Sequence, residues 1–242
     1  MSIPRKFYIF IGLAALGMIP LLAFSKGGIG NGQIMETERH VESFTRIASN
    51  GSAIVRIHKS PEFRVVVATD ARLQDSFEAL TADGLLSLGF KSGAIIRRTT
   101  TVIVDVYMPK LESITISGSG KAELKDSFTG QGLKTVVSGS GSIHGSVSYD
   151  SLAASIAGSG AIRLSGVCPQ LGVTVSGSGH FDGNHLFAVS ASAILSGSGS
   201  INLDVGSFLA AVVSGSGRIR YSGDPEVSVR VSGTGTVRAT GS

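Results

Sequence analysis

One short phrase, Gly-Ser-Gly, returns through the second half of this 242-residue chain and constrains its fold more than any other feature. Six copies, and a seventh with threonine in the middle, follow one another at a nearly constant spacing of about 20 residues. A regular period of this length indicates stacked structural repeats rather than low-complexity sequence. The glycines of the seven corners are Gly118, Gly120, Gly139, Gly141, Gly158, Gly160, Gly177, Gly179, Gly197, Gly199, Gly215, Gly217, Gly233 and Gly235.

The residues on both sides of each corner alternate between apolar and polar. Such a period of two predicts a β-strand before the corner and another after it. One apolar column, two residues before the first glycine, is Ile116, Val137, Ile156, Val175, Leu195, Val213 and Val231. A second, four residues after that glycine, is Ala122, Ile143, Ile162, Phe181, Ile201, Ile219 and Val237. The next residue gives a polar column: Glu123, His144, Arg163, Asp182, Asn202, Arg220 and Arg238.

Two strand arrangements fit this alternation. In stacked parallel coils the apolar columns become continuous buried ladders, and no repeat can bury its apolar face alone. In an antiparallel meander, three-residue hairpin loops would place the same columns on one face. The near-constant period favours the stacked coils. It also predicts that the corner serines, from Ser119 to Ser216, form one exposed line with Thr234.

Several features outside the corners complete a family pattern. They are the strands 44–47 and 53–57, the turn Asp83-Gly84, and the strand from Val104 to Pro109 that leads to the first corner. With the corners, they make residues 44–238 resemble the putative auto-transporter adhesin head GIN domain family. The resemblance implies an all-β fold, a right-handed parallel β-solenoid similar to pectin-lyase helices, with about 18–21 residues per repeat.

The chain divides into a leader and one domain. We expect a signal peptide or N-terminal anchor at 1–25, a flexible glycine-rich linker at 26–35, irregular opening coils or a cap at 36–110, and the seven repeats at 111–242. The predicted strands of the third part are 41–48, 52–59, 62–69, 75–82, 85–91 and 100–108, with a helical turn at 70–74.

The N-terminal segment 1–25 has the pattern of an export signal. Arg5 and Lys6 precede an uncharged run from Phe7 to Phe24, and Ala23-Phe24-Ser25 fits a small-x-small cleavage site. The length of this uncharged run also allows a retained membrane anchor. With a cleaved signal peptide or a retained anchor, the folded domain is expected outside the cytoplasm, in the periplasm or on the surface of a bacterium. It is expected to contact the membrane only through an uncleaved N-terminal segment.

The residues that could carry catalysis are too dispersed for it. Hydrolysis of a glycosidic bond needs two carboxylates roughly 5–9.5 Å apart. On the polar column Glu123 and Asp182 are three repeats apart, about 14 Å at the spacing of paired strands. Ser117 to Lys121 resembles half a phosphate loop, but Thr115 replaces its earlier glycine and Ala122 its Ser/Thr. We therefore predict no catalytic residues, no cofactor and no enzyme.

Metal and thiol chemistry are also not expected. His180 and His185 flank Asp182 in one return segment, but two histidines and a carboxylate in a loop are more often solvated, so no metal is predicted. Cys168 is the single cysteine, which excludes an intrachain disulfide. It is expected to be a buried structural thiol.

The arginines near the C-terminus are the best candidate for charge recognition. Arg218, Arg220, Arg230 and Arg238 fall in the last two repeats and are expected to bind a polyanion or to keep an open edge soluble. Nucleic acid is not expected as a partner. Loss of Arg5 and Lys6 with the leader would leave 19 of the 21 basic residues against 17 acidic ones.

The function predicted from these features is that of an exported, non-enzymatic β-solenoid, an adhesion or binding module of the cell envelope. Its expected partners are a surface glycan or a protein, and a homo-oligomer stays open. The alternatives are a carbohydrate-active β-helix enzyme with its site on the irregular edges, and an envelope structural protein tethered by its N-terminus.

Overall fold

The computed structural model describes residues 32–93 and 101–240 of the chain. These residues form β-strands joined by tight corners, with one short 3₁₀ helix at Gln74–Ser76. Before the first Gly-Ser-Gly corner the strands are β1 (Ile34–Arg39), β2 (Arg46–Gly51), β3 (Ile54–Lys59), β4 (Arg64–Asp70), β5 (Phe77–Ala82), β6 (Leu85–Phe90), β7 (Ile103–Met108) and β8 (Ser113–Gly118). After it they are β9 (Lys121–Leu124), β10 (Phe128–Gly139), β11 (Ser142–Gly158), β12 (Ala161–Val167), β13 (Gln170–Gly177), β14 (His180–Gly197), β15 (Ser200–Gly215), β16 (Arg218–Ser222), β17 (Glu226–Gly233) and β18 (Thr236–Ala239).

The seven repeats stack as parallel coils, which confirms the predicted β-solenoid and rules out the antiparallel meander. Each corner glycine lies opposite the same glycine of the next coil, as Gly118 opposite Gly139 and Gly139 opposite Gly158. The segments that lead into the corners form one sheet, here called the pre-corner sheet, and those that leave them form the post-corner sheet. β11, β14 and β15 are long because each runs from one corner to the next.

The corner column contains one member that the repeat period did not predict. Gly51 pairs with Gly118 and has a φ of +103°, as the corner glycines do. The phrase there is Gly51-Ser52-Ala53, so the second glycine of the phrase is missing, and the next corner comes more than three repeat lengths later in the chain. Both departures hide it from a search for the period.

The coils are not stacked in chain order at the N-terminal end. β2 lies between β6 and β8, and β3 lies between β7 and β9. The coil of residues 46–59 is therefore inserted between the coil that contains β6 and β7 and the first coil of the regular repeats. The intervening chain leaves the stack after β3 and returns at β6.

Antiparallel strands close this end of the solenoid. β4 pairs with β7 and with β1, and β5 pairs with β6, all antiparallel. Val65, Val67 and Phe77 of these strands are buried, so the core continues beneath them. β1 begins at Ile34, inside the predicted linker 26–35, and the helical turn predicted at 70–74 is a 3₁₀ helix at Gln74–Ser76.

The apolar columns form the core, as predicted, in six of the seven repeats. Ile116 and Ile162 are fully buried, and each buried aliphatic side chain contributes roughly 1.5–3 kcal/mol. The last pair keeps its register but not its burial, because Val231 is 42% exposed and Val237 half-buried. The reason is that only one coil lies against the last repeat in the described residues. The corner hydroxyl residues are exposed in one line, which confirms that prediction.

The corners are held by backbone hydrogen bonds between coils. The carbonyl oxygen of Gly118 accepts hydrogen bonds from the backbone N–H groups of Ser140 and Gly141, both at 2.9 Å. Gly139 has a φ of +115°, and a Cβ built on it would lie 2.6 Å from that same oxygen. Glycine is therefore required there both for its backbone angle and for the close approach of the next coil.

We expect Gly139→Ala to lower the free energy of unfolding by at least about 1–3 kcal/mol, because the new Cβ meets a backbone atom and the left-handed angle is strained. Gly132→Ala is the matched control, since a Cβ at Gly132 meets only Ser151 Oγ at 3.5 Å and the φ is not positive. Unfolding in denaturant, followed by circular dichroism, compares the two. Equal losses in both variants would contradict the stacking argument.

Candidate binding surface

A long trough lies on the outer face of the pre-corner sheet. It is open to solvent and has a volume of about 660 Å³. Its floor is a column of small side chains that the register places opposite one another on successive coils. This column, here called the trough floor, is Ala153, Gly172, Ser192 and Ala210.

Larger side chains border the trough floor on several sides. Lys134 extends the same column on the preceding coil, so Lys134 and Ala210 are four strand spacings apart, about 19 Å. Gln170 and Phe208 line the trough on the side of the return bend, and Phe208 is 40% exposed. On the other side, Ile194 is 42% exposed and lines a smaller recess that adjoins the trough floor. The arrangement fits an elongated ligand that lies across the strands.

Sequence reasoning missed this trough. The residues of the trough floor share only small size and outward orientation. The apolar columns found in the sequence point inward, into the core. The signal available was the column five residues before the first glycine of the five corners from Gly139 to Gly215: Lys134, Ala153, Gly172, Ser192 and Ala210.

The polar column forms the outer face of the post-corner sheet as predicted, but it is longer than the repeats alone suggest. Arg56 lies opposite Glu123 on one side and Asp105 on the other. The inserted coil thus adds Arg56 to the column, and the coil beyond it adds an acid, Asp105, that the repeat alignment could not include. Asp105 and Glu123 are two strand spacings apart, about 10 Å, with Arg56 on the strand between them.

Asp105 belongs to a small cluster of side chains near the capped end. His58 Nε2 lies 2.9 Å from Asp105 Oδ1, and the His58 ring stacks on Tyr107 at a centroid distance of 4.7 Å. The guanidinium of Arg64 lies over the Tyr107 ring at 4.1 Å. Tyr107 therefore contacts both His58 and Arg64, and Asp105 already has a partner. Glu123 and Asp182, the acids named by the sequence, are three coil steps apart, as expected.

Two of the side chains considered for metal binding, His180 and Asp182, have other partners. His180 Nδ1 lies 2.7 Å from Ser200 Oγ. Asp182 lies 3.8 Å from Arg163 Nε and accepts a hydrogen bond from Asn184 Nδ2 at 2.9 Å. His185 lines a recess of about 200 Å³ with Asp182 and Arg163. Within residues 32–93 and 101–240 no group of three or more His, Cys, Asp or Glu side chains is placed to hold a metal ion.

The structure separates the four arginines that the sequence grouped. Arg220 lies opposite Arg238, and Arg218 is two residues before Arg220 on the same strand, so these three share the outer face of the post-corner sheet. Arg230 lies on β17, in the pre-corner sheet. Arg230 therefore lies on a different sheet from the other three, because the corner at Gly233 separates the two sheets. Polyanion binding by the four arginines stays a prediction.

Two buried groups are structural. Cys168 is fully buried, and burial raises the pKa of its thiol to about 11, so it is protonated and unreactive at neutral pH. The Tyr149 hydroxyl donates a hydrogen bond to the carbonyl oxygen of Leu111 at 2.6 Å. Burial, with a smaller effect of Glu112, raises the pKa of that hydroxyl to about 12. The buried cysteine agrees with the sequence expectation.

These features define a class of protein: a parallel β-solenoid with one closed end and a troughed outer face. The chain belongs to the family described as "Putative auto-transporter adhesin, head GIN domain", whose model matches residues 43–225. No curated protein matches the chain. No helix in the described parts of the chain is long and apolar enough to cross a membrane.

Solved structures share the fold. A putative adhesin from Bacteroides fragilis superposes with a TM-score of 0.81 at 20% identity, over 88% of this chain and 100% of that one. A putative adhesin from Parabacteroides merdae gives 0.73 at 23% identity, over 88% and 99%. A protein from Parabacteroides distasonis described as a putative lipid binding protein gives 0.72 at 26% identity, over 88% and 99%.

His144, in the middle of the polar column, should make stability depend on pH. Burial lowers its pKa below 6.5, with a further effect of Arg163, and its Nε2 atom is buried without a hydrogen-bond partner. Below pH 6.5 the unfolded chain therefore binds a proton that the folded protein resists, so stability falls as pH falls through that range.

We expect His144→Gln to lose less stability than the unchanged protein between pH 7.5 and pH 5, because this proton uptake is removed. Thermal unfolding at the two pH values measures the difference. His185→Gln is the control, the same replacement at an exposed histidine of the return edge. The same pH dependence in all three proteins would contradict the assignment to His144.

Proposed function

We propose that this protein is an exported, non-catalytic binding module of the bacterial cell envelope, which holds an elongated ligand in the trough of the pre-corner sheet. The trough is the observation that carries the proposal. It lies on a rigid ladder of paired strands, and its floor comes from four successive coils. Membership of a family described as adhesins supports a binding role.

The chemistry of the trough favours a ligand with an apolar surface and a few polar groups. The trough floor offers small side chains and no charge, whereas Lys134 and Gln170 supply donors at its border. Binding sites are commonly lined in this way, with a few polar groups that fix orientation. A glycan chain, whose ring faces are apolar and whose edges carry hydroxyl groups, meets these requirements, and so does an extended peptide.

The proposal is tested by a substitution that fills the trough. Ala153→Trp places a large ring on the trough floor, and Ala157→Trp is its matched control, an exposed alanine on the same strand and face outside the trough. On a glycan array and on immobilised surface extracts, we expect Ala153→Trp to reduce binding about tenfold or more and Ala157→Trp to leave it unchanged. Equal effects would exclude the trough as the contact surface. Release of sugar by the unchanged protein would contradict the non-catalytic role.

A lipid chain is the second candidate ligand. Phe208 and Ile194 are exposed beside the trough floor, and one relative of known structure is described as a lipid binding protein. Binding of a fluorescent fatty acid, measured with the same two tryptophan variants, separates the candidates. If Ala153→Trp reduces binding of the fatty acid but has no effect on glycan binding, the trough is assigned to lipid.

The proposed export is tested on the full chain. Residues 1–31 lie outside the described residues, so the leader remains a sequence-based proposal. We expect producing cells to contain either a mature form that begins near Lys26 or a membrane-bound form that keeps Met1, as shown by mass spectrometry of fractions. A soluble, uncleaved protein in the cytoplasm would refute both.

A further inference from the structure

The coil of residues 226–239 leaves a strand edge and part of the core uncovered. In the described residues β17 pairs only with β15, and β18 only with β16. Val229 and Val231 lie opposite the buried Ala211 and Val213, yet they are 51% and 42% exposed. At the other end, by contrast, antiparallel strands cover the core. Within residues 32–93 and 101–240, the apolar ladders therefore end at an open edge.

β17 lacks the features that usually protect an exposed edge. It is eight residues long, contains no proline, and has only valines on its inward face. Edge strands are commonly protected by an inward charge, a proline or a bulge. β17 instead carries one outward charge of each sign, Glu226 and Arg230, and neither is in an ion pair within the described structure. Opposite signs at equal distances on each side of Ser228 are a self-complementary pattern.

We propose that β17 pairs antiparallel with β17 of a second copy of this chain, about a two-fold axis at Ser228. In this register Glu226 of each copy lies opposite Arg230 of the other, and Ser228 lies opposite its own counterpart. Val227 lies opposite Val229 of the second copy on the inward face. An axis perpendicular to the sheet keeps inward side chains on the same side, so the apolar ladders of the two copies meet.

Symmetry and charge both favour this register. An axis at Glu226 or at Arg230 would place like charges opposite each other, which destabilises a strand pair. A shift by one residue would place valines opposite outward side chains of the second copy. The two-fold contact closes on itself and yields a dimer rather than a fibre. β18 carries Arg238 and no acid, so the charge argument assigns the pairing to β17.

Cysteine cross-linking in cells that produce the full chain tests the axis. In Ser228→Cys the two new thiols would face each other, and Cα atoms about 4.5–5.5 Å apart allow a disulfide. The buried Cys168 should not compete. Ser176→Cys is the control, an exposed outward serine on β13 in the middle of the same sheet. We expect a covalent dimer of Ser228→Cys alone. Equal cross-linking of both variants, or capture of a different protein by Ser228→Cys, would overturn the proposal.

Charge exchange tests the register independently. Arg230→Glu in the Ser228→Cys background turns both cross-strand attractions into repulsions and should weaken the dimer about tenfold. Glu226→Arg should do the same, and the double exchange should restore cross-linking. Arg220→Glu is the matched control on the other sheet and should have little effect. An unchanged dimer in Arg230→Glu, or no recovery in the double exchange, would refute the Glu226–Arg230 contact.

Discussion

The approach of one backbone corner to the next is the constraint on which the rest of this structure depends. At every corner from Gly51 to Gly215, a glycine carbonyl oxygen accepts a hydrogen bond or two from the next coil, as Gly118 does from Ser140 and Gly141. These contacts leave no room for a Cβ and fix the register of both adjoining sheets. Because the side-chain period of a strand is two, that register decides which residues enter the core and which face solvent. The trough floor and the polar column are thus consequences of the corners.

The regular part of the fold could be predicted from the sequence because each corner repeats the same local chemistry. The opening coils could not, since their order depends on contacts between distant segments. Gly51 joins the corner column without its second glycine, and β2 and β3 enter the stack between strands that follow them in the chain. Nothing local to residues 46–59 records this insertion. Their alternation predicts strands but not neighbours.

The candidate site, too, was predictable only where it follows the repeat. The polar column was predictable to the extent that it follows the repeat, from Glu123 onwards, whereas Arg56 and Asp105 join it only through the inserted coil. The trough was not predictable from hydropathy, because its floor is defined by the small size of outward residues. Arg230 was grouped with three other arginines by closeness in sequence, but a corner places it in the other sheet.

Stacking of identical coils could continue without limit, so the exposed coil at each end must be covered by some other contact. At the N-terminal end the chain supplies it through β1, β4 and β5, which run against the direction of the coils and bury Val65, Val67 and Phe77. The same reasoning applies to β17. A second copy in the parallel sense would leave a new open edge, whereas an antiparallel copy removes both edges at once.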